Sequence, residues 1–239
     1  MLFIIIYINL IIYFFLFKLF NNFNIDTFQA IVFNYFTAFI IGMTLYGDQW
    51  QPEFSEQTGW MYASIACGAL FISLFFIMGS SSQLNGVATT SVAVKMSMVA
   101  SLIGMILVFG TPLNIFNSIC ILLAILGVFL VSYSKSGKVN ASWMLIALFL
   151  GSGMLDFILY LVQDSVLLNM PGSIFSAVGL GTAGIFGGII LSIQLATKRR
   201  KLHFKNIIAG IFLGIPNYFS IYLLLLSYKI GRASCRERV

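Results

Sequence analysis

The 239 residues carry 13 Lys and Arg against 7 Asp and Glu, 60% of them are apolar, and only 8% are charged. So few charges leave a water-facing surface uncovered, which excludes a soluble globular domain. The formal charge of +6 would draw anionic partners to a soluble protein; in a membrane protein basic residues mainly report orientation, and nucleic-acid binding is set aside.

Apolar stretches of about 20 residues recur along the chain, each long enough to cross a hydrocarbon layer roughly 30 Å thick as a helix. Eight spans are expected, at residues 2–20, 27–46, 59–78, 87–109, 113–133, 141–162, 174–196 and 207–226. The first, MLFIIIYINLIIYFFLFKLF, lacks the basic start and the cleavage site of a secretory signal and is too long for one. It carries Asn9. Span two holds Asn34 and Tyr35 and leads into the acidic loop GDQWQPEFSEQTG.

Span four is the most polar. Lys95 lies roughly 12 Å along it from its start, where an unpaired ammonium costs several kcal/mol. Ser91, Ser97 and Ser101 lie on the same span, so span four is expected to line a cavity, although a lysine that snorkels to headgroups gives a plainer reading. Span six carries Asp156, a carboxylate well inside a span and the natural counter-ion of Lys95; Asp164 is expected in the following loop. Span eight contains GIPNYFS, where Pro216 frees carbonyls a turn earlier and Asn217 stands ready to bond them or a substrate.

Gly184 with Gly188, and Gly210 with Gly214, have the small-xxx-small spacing of closely packed helices. Trp50, Trp60 and Trp143 near span ends suit an interfacial belt. Between spans seven and eight runs KRRKLHFK, from Lys198 to Lys205, read as an anchor to anionic headgroups. With Lys18, Lys135 and Lys138 it places the odd-numbered loops in the cytoplasm and the amino terminus outside. Cys67, Cys120 and Cys235 have no metal or redox spacing, and no cofactor or metal is expected.

The chain also resembles itself. TAFIIG from Thr37 and TAGIFG from Thr182 share four of six residues at a displacement of 145, which also sets span one on span six and span three on span eight. A five-span unit has an odd number of crossings, so consecutive copies insert in opposite senses, as in secondary transporters. A full pair has ten spans. The expected organisation is a first repeat over residues 1–138 and a three-span second repeat over 139–228.

The tail, 229–239, breaks this pattern. Residues 230–239 can be encoded without mismatch as ATC GGA AGA GCG TCG TGT AGG GAA AGA GTG, which resembles a widely used sequencing adaptor. We expect this tail not to belong to the gene. Setting it aside leaves nine basic and six acidic residues.

The five-span repeats, Lys95 within SVAVKMSMVASLIGMILVFGTPLNIFNSICILLAILGVFLVSYSK, and the opening FKLFNNFNIDTFQAIVFNYFTAFIIG together resemble the EamA-like branch of the drug/metabolite transporter superfamily. The resemblance covers residues 1–228. Members usually carry G-E-x-L in the turn between spans four and five, where this chain has FGTPLN with Thr111 and Pro112. A Gly usual early in span five is also missing, and the family's usual amino-terminus-inside orientation opposes the charge reading.

The resulting expectation is an all-α membrane protein, a polytopic bundle of inverted five-helix repeats with eight of ten transmembrane helices present, in a bacterial inner membrane. It would carry small organic metabolites by alternating access, as an exporter according to the resemblance; a channel or a non-transporting scaffold is the alternative. Lys95, Asp156, Asn217, Ser97 and Asn34 are the candidate translocation residues. An enzyme is not expected, because the one histidine, His203, sits in a basic loop and HExxH is absent. The expected partners are a small-molecule substrate and the lipid bilayer, with a homodimer left open.

Overall fold

A computed structural model describes residues 16, 20, 23–51, 54, 58–110, 115–133, 142–165, 171–197 and 201–236. Apart from positions 16 and 20, the first span lies outside the described residues, as do Thr111, Pro112 and the proposed repeat boundary after residue 138. Among the described residues there are seven α-helices, one 3-10 turn and no strand. The helices are α1 (Thr27–Tyr46), α2 (Thr58–Leu84), α3 (Val87–Phe109), α4 (Ile115–Tyr133), α5 (Ser142–Ser165), α6 (Gly172–Ala196) and α7 (Phe204–Arg236), with the turn at Gly47–Gln49.

Six of the described helices are long and apolar enough to cross a membrane: α1, α2, α3, α5, α6 and α7. The chain is a multi-pass membrane protein with a helical fold. In a bilayer only a helix or a closed barrel satisfies every backbone polar group, so segments this apolar become helices irrespective of periodicity.

Helix ends follow local chemistry. Asp26 caps α1, its Oδ1 accepting the amides of Phe28 at 3.0 Å and Gln29 at 3.3 Å. Gly110 ends α3 in the left-handed region, at φ 61°, and donates its amide to the Ile106 carbonyl. Three helices outrun their expected spans: α5 runs on to Ser165, so the backbone of Asp164 is helical where a loop was expected. α2 continues through GSSSQL to Leu84 because its polar side chains are accommodated: Ser82 Oγ donates to the Met78 carbonyl at 2.7 Å and Asn85 Nδ2 to Ser81 Oγ at 3.0 Å. The backbone of α7 stays helical through Arg236; no proline follows Pro216 to stop it.

The chain forms two compact units, Met1–Ile72 with Leu159–Val239, and Ser73–Ile158. In the first, α1 packs against both α6 and α7. It runs parallel to α7, since Asp26 meets Asn206 near one end and Tyr46 meets Tyr222 near the other. It runs antiparallel to α6: Gly42 lies against Ala177, Phe39 against Gly181, Phe36 against Gly184 and Val32 against Gly187.

These four contacts are reciprocal. Moving each α1 partner forward by 145 residues and each α6 partner back by 145 turns Gly42–Ala177 into Gly187–Val32, and Phe39–Gly181 into Gly184–Phe36. The first half of α2 joins this group: Tyr35 Oη donates to the Phe71 carbonyl at 2.7 Å, and Thr182 Oγ1 to the Ser64 carbonyl at 2.8 Å.

In the second unit α3 packs on α4 and on α5. A methyl added at Gly153 would sit 2.5 Å from Ala100 Cβ and 2.8 Å from the Ser97 carbonyl, and one added at Gly104 would sit 3.2 Å from the Phe157 ring. Both contacts climb in the same direction, so α3 and α5 are parallel.

Candidate functional site

The five candidate residues fall into two clusters, one in each unit. Lys95 on α3 and Asp156 on α5 belong to the second unit, close enough for each charge to feel the other. The α3–α5 register sets Asp156 level with Ile103, about two turns or ~12 Å along the seam from the Lys95 backbone, a separation the long lysine stem helps to span. Both side chains are half-buried. Such a pair places opposite charges at membrane depth, where each partner lowers the cost of holding the other.

The serines of α3 are engaged elsewhere. Ser97 is buried and donates Oγ to the Val94 carbonyl at 2.6 Å; Ser101 donates to Met98 and Ser91 to Ala88, both at 2.8 Å. Each hydroxyl is taken up by its own helix, as mid-helix serines commonly are. Ser97 lies on the packing seam against Gly153.

The second cluster belongs to the first unit. Asn217 Nδ2 donates to Asn34 Oδ1 at 3.1 Å, and both residues are buried. Gly210 and Gly214 make this approach feasible. A methyl at Gly210 would stand 2.6 Å from the Ala30 carbonyl oxygen, and one at Gly214 would stand 2.7 Å from that of Asn34. The sequence expectation of close-packed glycine pairs is met most tightly on α7; on α6 a methyl at Gly184 would stand 3.4–3.5 Å from the Phe36 ring and 3.5 Å from its backbone nitrogen, and one at Gly188 would stand 3.2–3.4 Å from the ring. Pro216 lies inside α7 beside Asn217. Asn34 Nδ2 is buried without a hydrogen-bond partner among the described residues, which leaves one strong donor at the α1–α7 contact free for another acceptor.

Two groups of polar contacts flanking this pair were not anticipated. At one end, Gln29 Nε2 donates to the Lys201 carbonyl, Asn206 Nδ2 donates to Gln29 Oε1, both at 2.8 Å, and the Asp26 amide donates to Asn206 Oδ1 at 3.2 Å. At the other, Ser173 Oγ donates to Gln49 Oε1 at 2.7 Å and Tyr218 Oη to the Ser173 carbonyl at 3.3 Å. Asp26 immediately before an apolar run is the one legible signal here, an N-cap.

Trp60 departs from the expected interfacial belt. It is buried, its Nε1 donating to the Phe54 carbonyl and its ring meeting Trp50 edge-on at 5.8 Å. Trp143 is exposed. Cys67 is a buried free thiol. Asn9 and the side chains of Asp164, Cys120 and Cys235 lie outside the described residues. Among the described residues no group of three or more His, Cys, Asp or Glu could hold a metal ion.

No match was found among known family profiles or among solved structures. An uncharacterized protein of Haemophilus influenzae is similar to this chain, with 27% identity over 227 residues, covering 90% of this chain and 74% of the relative. The similarity covers most of this chain and assigns neither cluster a role.

Proposed function

We propose that the chain is a secondary carrier of small organic molecules, working by alternating access, and an exporter of the EamA-like kind that its sequence resembles. The observation that carries this reading is the reciprocal packing of α1 and α6. Any antiparallel pair keeps the sum of its contacting residue numbers constant; what supports the repeat is that the displacement of 145 read from TAFIIG and TAGIFG lays the two contacting faces on one another, and inverted repeats give a carrier its two interconvertible shapes. In this reading the chain supplies eight of ten helices and sits in a bacterial inner membrane, in keeping with its bacterial relative.

Lys95 and Asp156 supply a charged element within the second unit. The ammonium attracts a carboxylate or sets the charge of the cavity, and the carboxylate holds it in place while substrate is absent. Within the first unit, taken by itself, Asn34 and Asn217 supply neutral donors and acceptors beside Pro216, where a helix can bend. Ser97 contributes through close packing of α3 on α5, which fixes the pitch of Lys95. A channel or a scaffold is the second reading; isolated charges fit a ring-lined pore less well than a carrier site.

The test is flux of a screened panel of organic acids, amines and neutral metabolites through proteoliposomes. Substrate-dependent, saturable flux that is lost in Lys95→Ala, with membrane insertion intact, supports the carrier. Insertion without flux of any compound favours the scaffold.

A further inference from the structure

A groove of about 620 Å³ opens between α1 and α6, lined by Val32, Phe36, Ile185, Ile189 and Leu195 and bounded at its mouth by Leu202 of the loop before α7. On α6 the lining runs from Ile185 to Leu195, a depth of about 15 Å at 1.5 Å per residue. That is the depth of one leaflet, half of a hydrocarbon layer about 30 Å thick. The floor is made by Gly188, whose missing side chain exposes the Phe36 ring.

The mouth has a different chemistry. Lys201, Leu202, His203, Phe204 and Lys205 are all exposed, so basic and apolar side chains alternate where the loop meets the groove. Leu202 is 48% and Phe204 74% exposed. Apolar side chains among lysines are what a segment presents to the headgroup boundary of a bilayer. The loop is held in this position: its Lys201 carbonyl accepts Gln29 Nε2, and Lys205 Nζ donates to the Phe23 carbonyl at 3.1 Å. Among the described residues that is the one hydrogen bond the ammonium makes, and an ammonium has three protons to donate.

We infer that this is a binding site for an anionic phospholipid, one acyl chain lying in the groove and the phosphate held at Lys201 and Lys205. An apolar slot of one leaflet's depth selects a chain, and the cationic rim selects a headgroup that carries net negative charge. The site belongs to the α1–α6 face and is independent of the Lys95 and Asn34 clusters. It also turns the basic loop from a general anchor into half of a defined pocket.

The experiment is native mass spectrometry of the protein released from mixed phosphatidylglycerol and phosphatidylcholine membranes, together with photolabelling by phosphatidylglycerol bearing a diazirine near the end of one chain. About a tenfold preference for retained phosphatidylglycerol is expected, with label in residues 32–36 and 185–195. Lys201→Glu with Lys205→Glu reverses the rim, and Ser192→Phe fills the groove; each should bring the preference to within about threefold of parity.

Equal retention of the two lipids overturns the proposal. So does a preference lost on charge reversal but untouched by Ser192→Phe, which marks adsorption of headgroups alone. Soluble glycerol phosphate that displaces the lipid at matched concentration likewise overturns it, since the chain would then add nothing. Labelling uses the unaltered protein, so label confined to other helices, or excluded from the groove by dimer formation, refutes the site even if the variants fail to fold.

Discussion

Asn217 donates its amide to Asn34 across the α1–α7 contact, 3.1 Å apart and 183 positions apart in the chain. The bond joins the residue after Pro216 to the middle of the helix that packs on both α6 and α7, so a change in the bend of α7 has to stretch or break it. It is stabilising and conformationally informative at once.

Removing one partner leaves the other buried without compensation. Asn217→Leu is expected to lower stability by about 1–2 kcal/mol, within the range for a buried polar group deprived of its partner. Adding Asn34→Leu should recover part of that loss, because two apolar groups in contact need no hydrogen bond. The measurement is a double-mutant cycle of unfolding in mixed detergent micelles. Simple additivity of the two losses would show that the bond contributes nothing of its own.

The glycines of α7 allow a sharper comparison. Gly210→Val and Gly214→Val would force methyl groups into the carbonyls of Ala30 and Asn34, and each is expected to cost about 1–3 kcal/mol as overpacking. Gly59→Ala meets nothing within 4 Å and should leave the thermal midpoint unchanged or slightly raised. The three midpoints, measured in one detergent, decide whether the α1–α7 contact is as tight as its geometry requires.

Lys95 and Asp156 make a prediction by charge. Lys95→Met or Asp156→Leu leaves one charge at membrane depth without its counter-charge, so each single variant should insert and express less well. The pair together should regain insertion while flux stays absent. Quantitative membrane fractions beside flux separate the two effects; full transport by the neutral pair would remove both residues from the translocation site.

Reciprocal contacts predict reciprocal crosslinks. With Cys67, Cys120 and Cys235 replaced, Gly42→Cys with Ala177→Cys and Val32→Cys with Gly187→Cys should both oxidise readily, since a Cβ at either glycine would lie within 3 Å of its partner side chain. Phe39→Cys with Gly187→Cys, two turns out of register, should not. Gel mobility after mild oxidation reads all three, and fast crosslinking of the mismatched pair would show that α1 and α6 slide.

Much of the helical layout was legible because apolar length alone sets it. The ends of α1 and α3 match the expected 27–46 and 87–109. α2 outran its span because GSSSQL reads as a loop by polarity, whereas Ser81, Ser82 and Asn85 satisfy one another and the backbone locally. Lys95 and Asp156 stood out singly as ions in lipid. The partnership of Asn34 with Asn217 did not, because it depends on a register between distant helices that no local pattern encodes. Trp60 misled for a related reason: an indole near a span end suits an interface, and it is contact with Trp50 and Phe54 that helps bury the ring.

The packing of Phe36 over Gly184 and of Phe39 over Gly181 bears on a different matter, the choice of partner. Two copies of α1 brought together in that register would set phenylalanine against phenylalanine, and two copies of α6 would set glycine against glycine, leaving voids. Only the unlike pair closes. Whatever self-pairing a repeated sequence would otherwise invite between neighbouring molecules, the division of bulk between these two helices directs each toward its counterpart in the same chain.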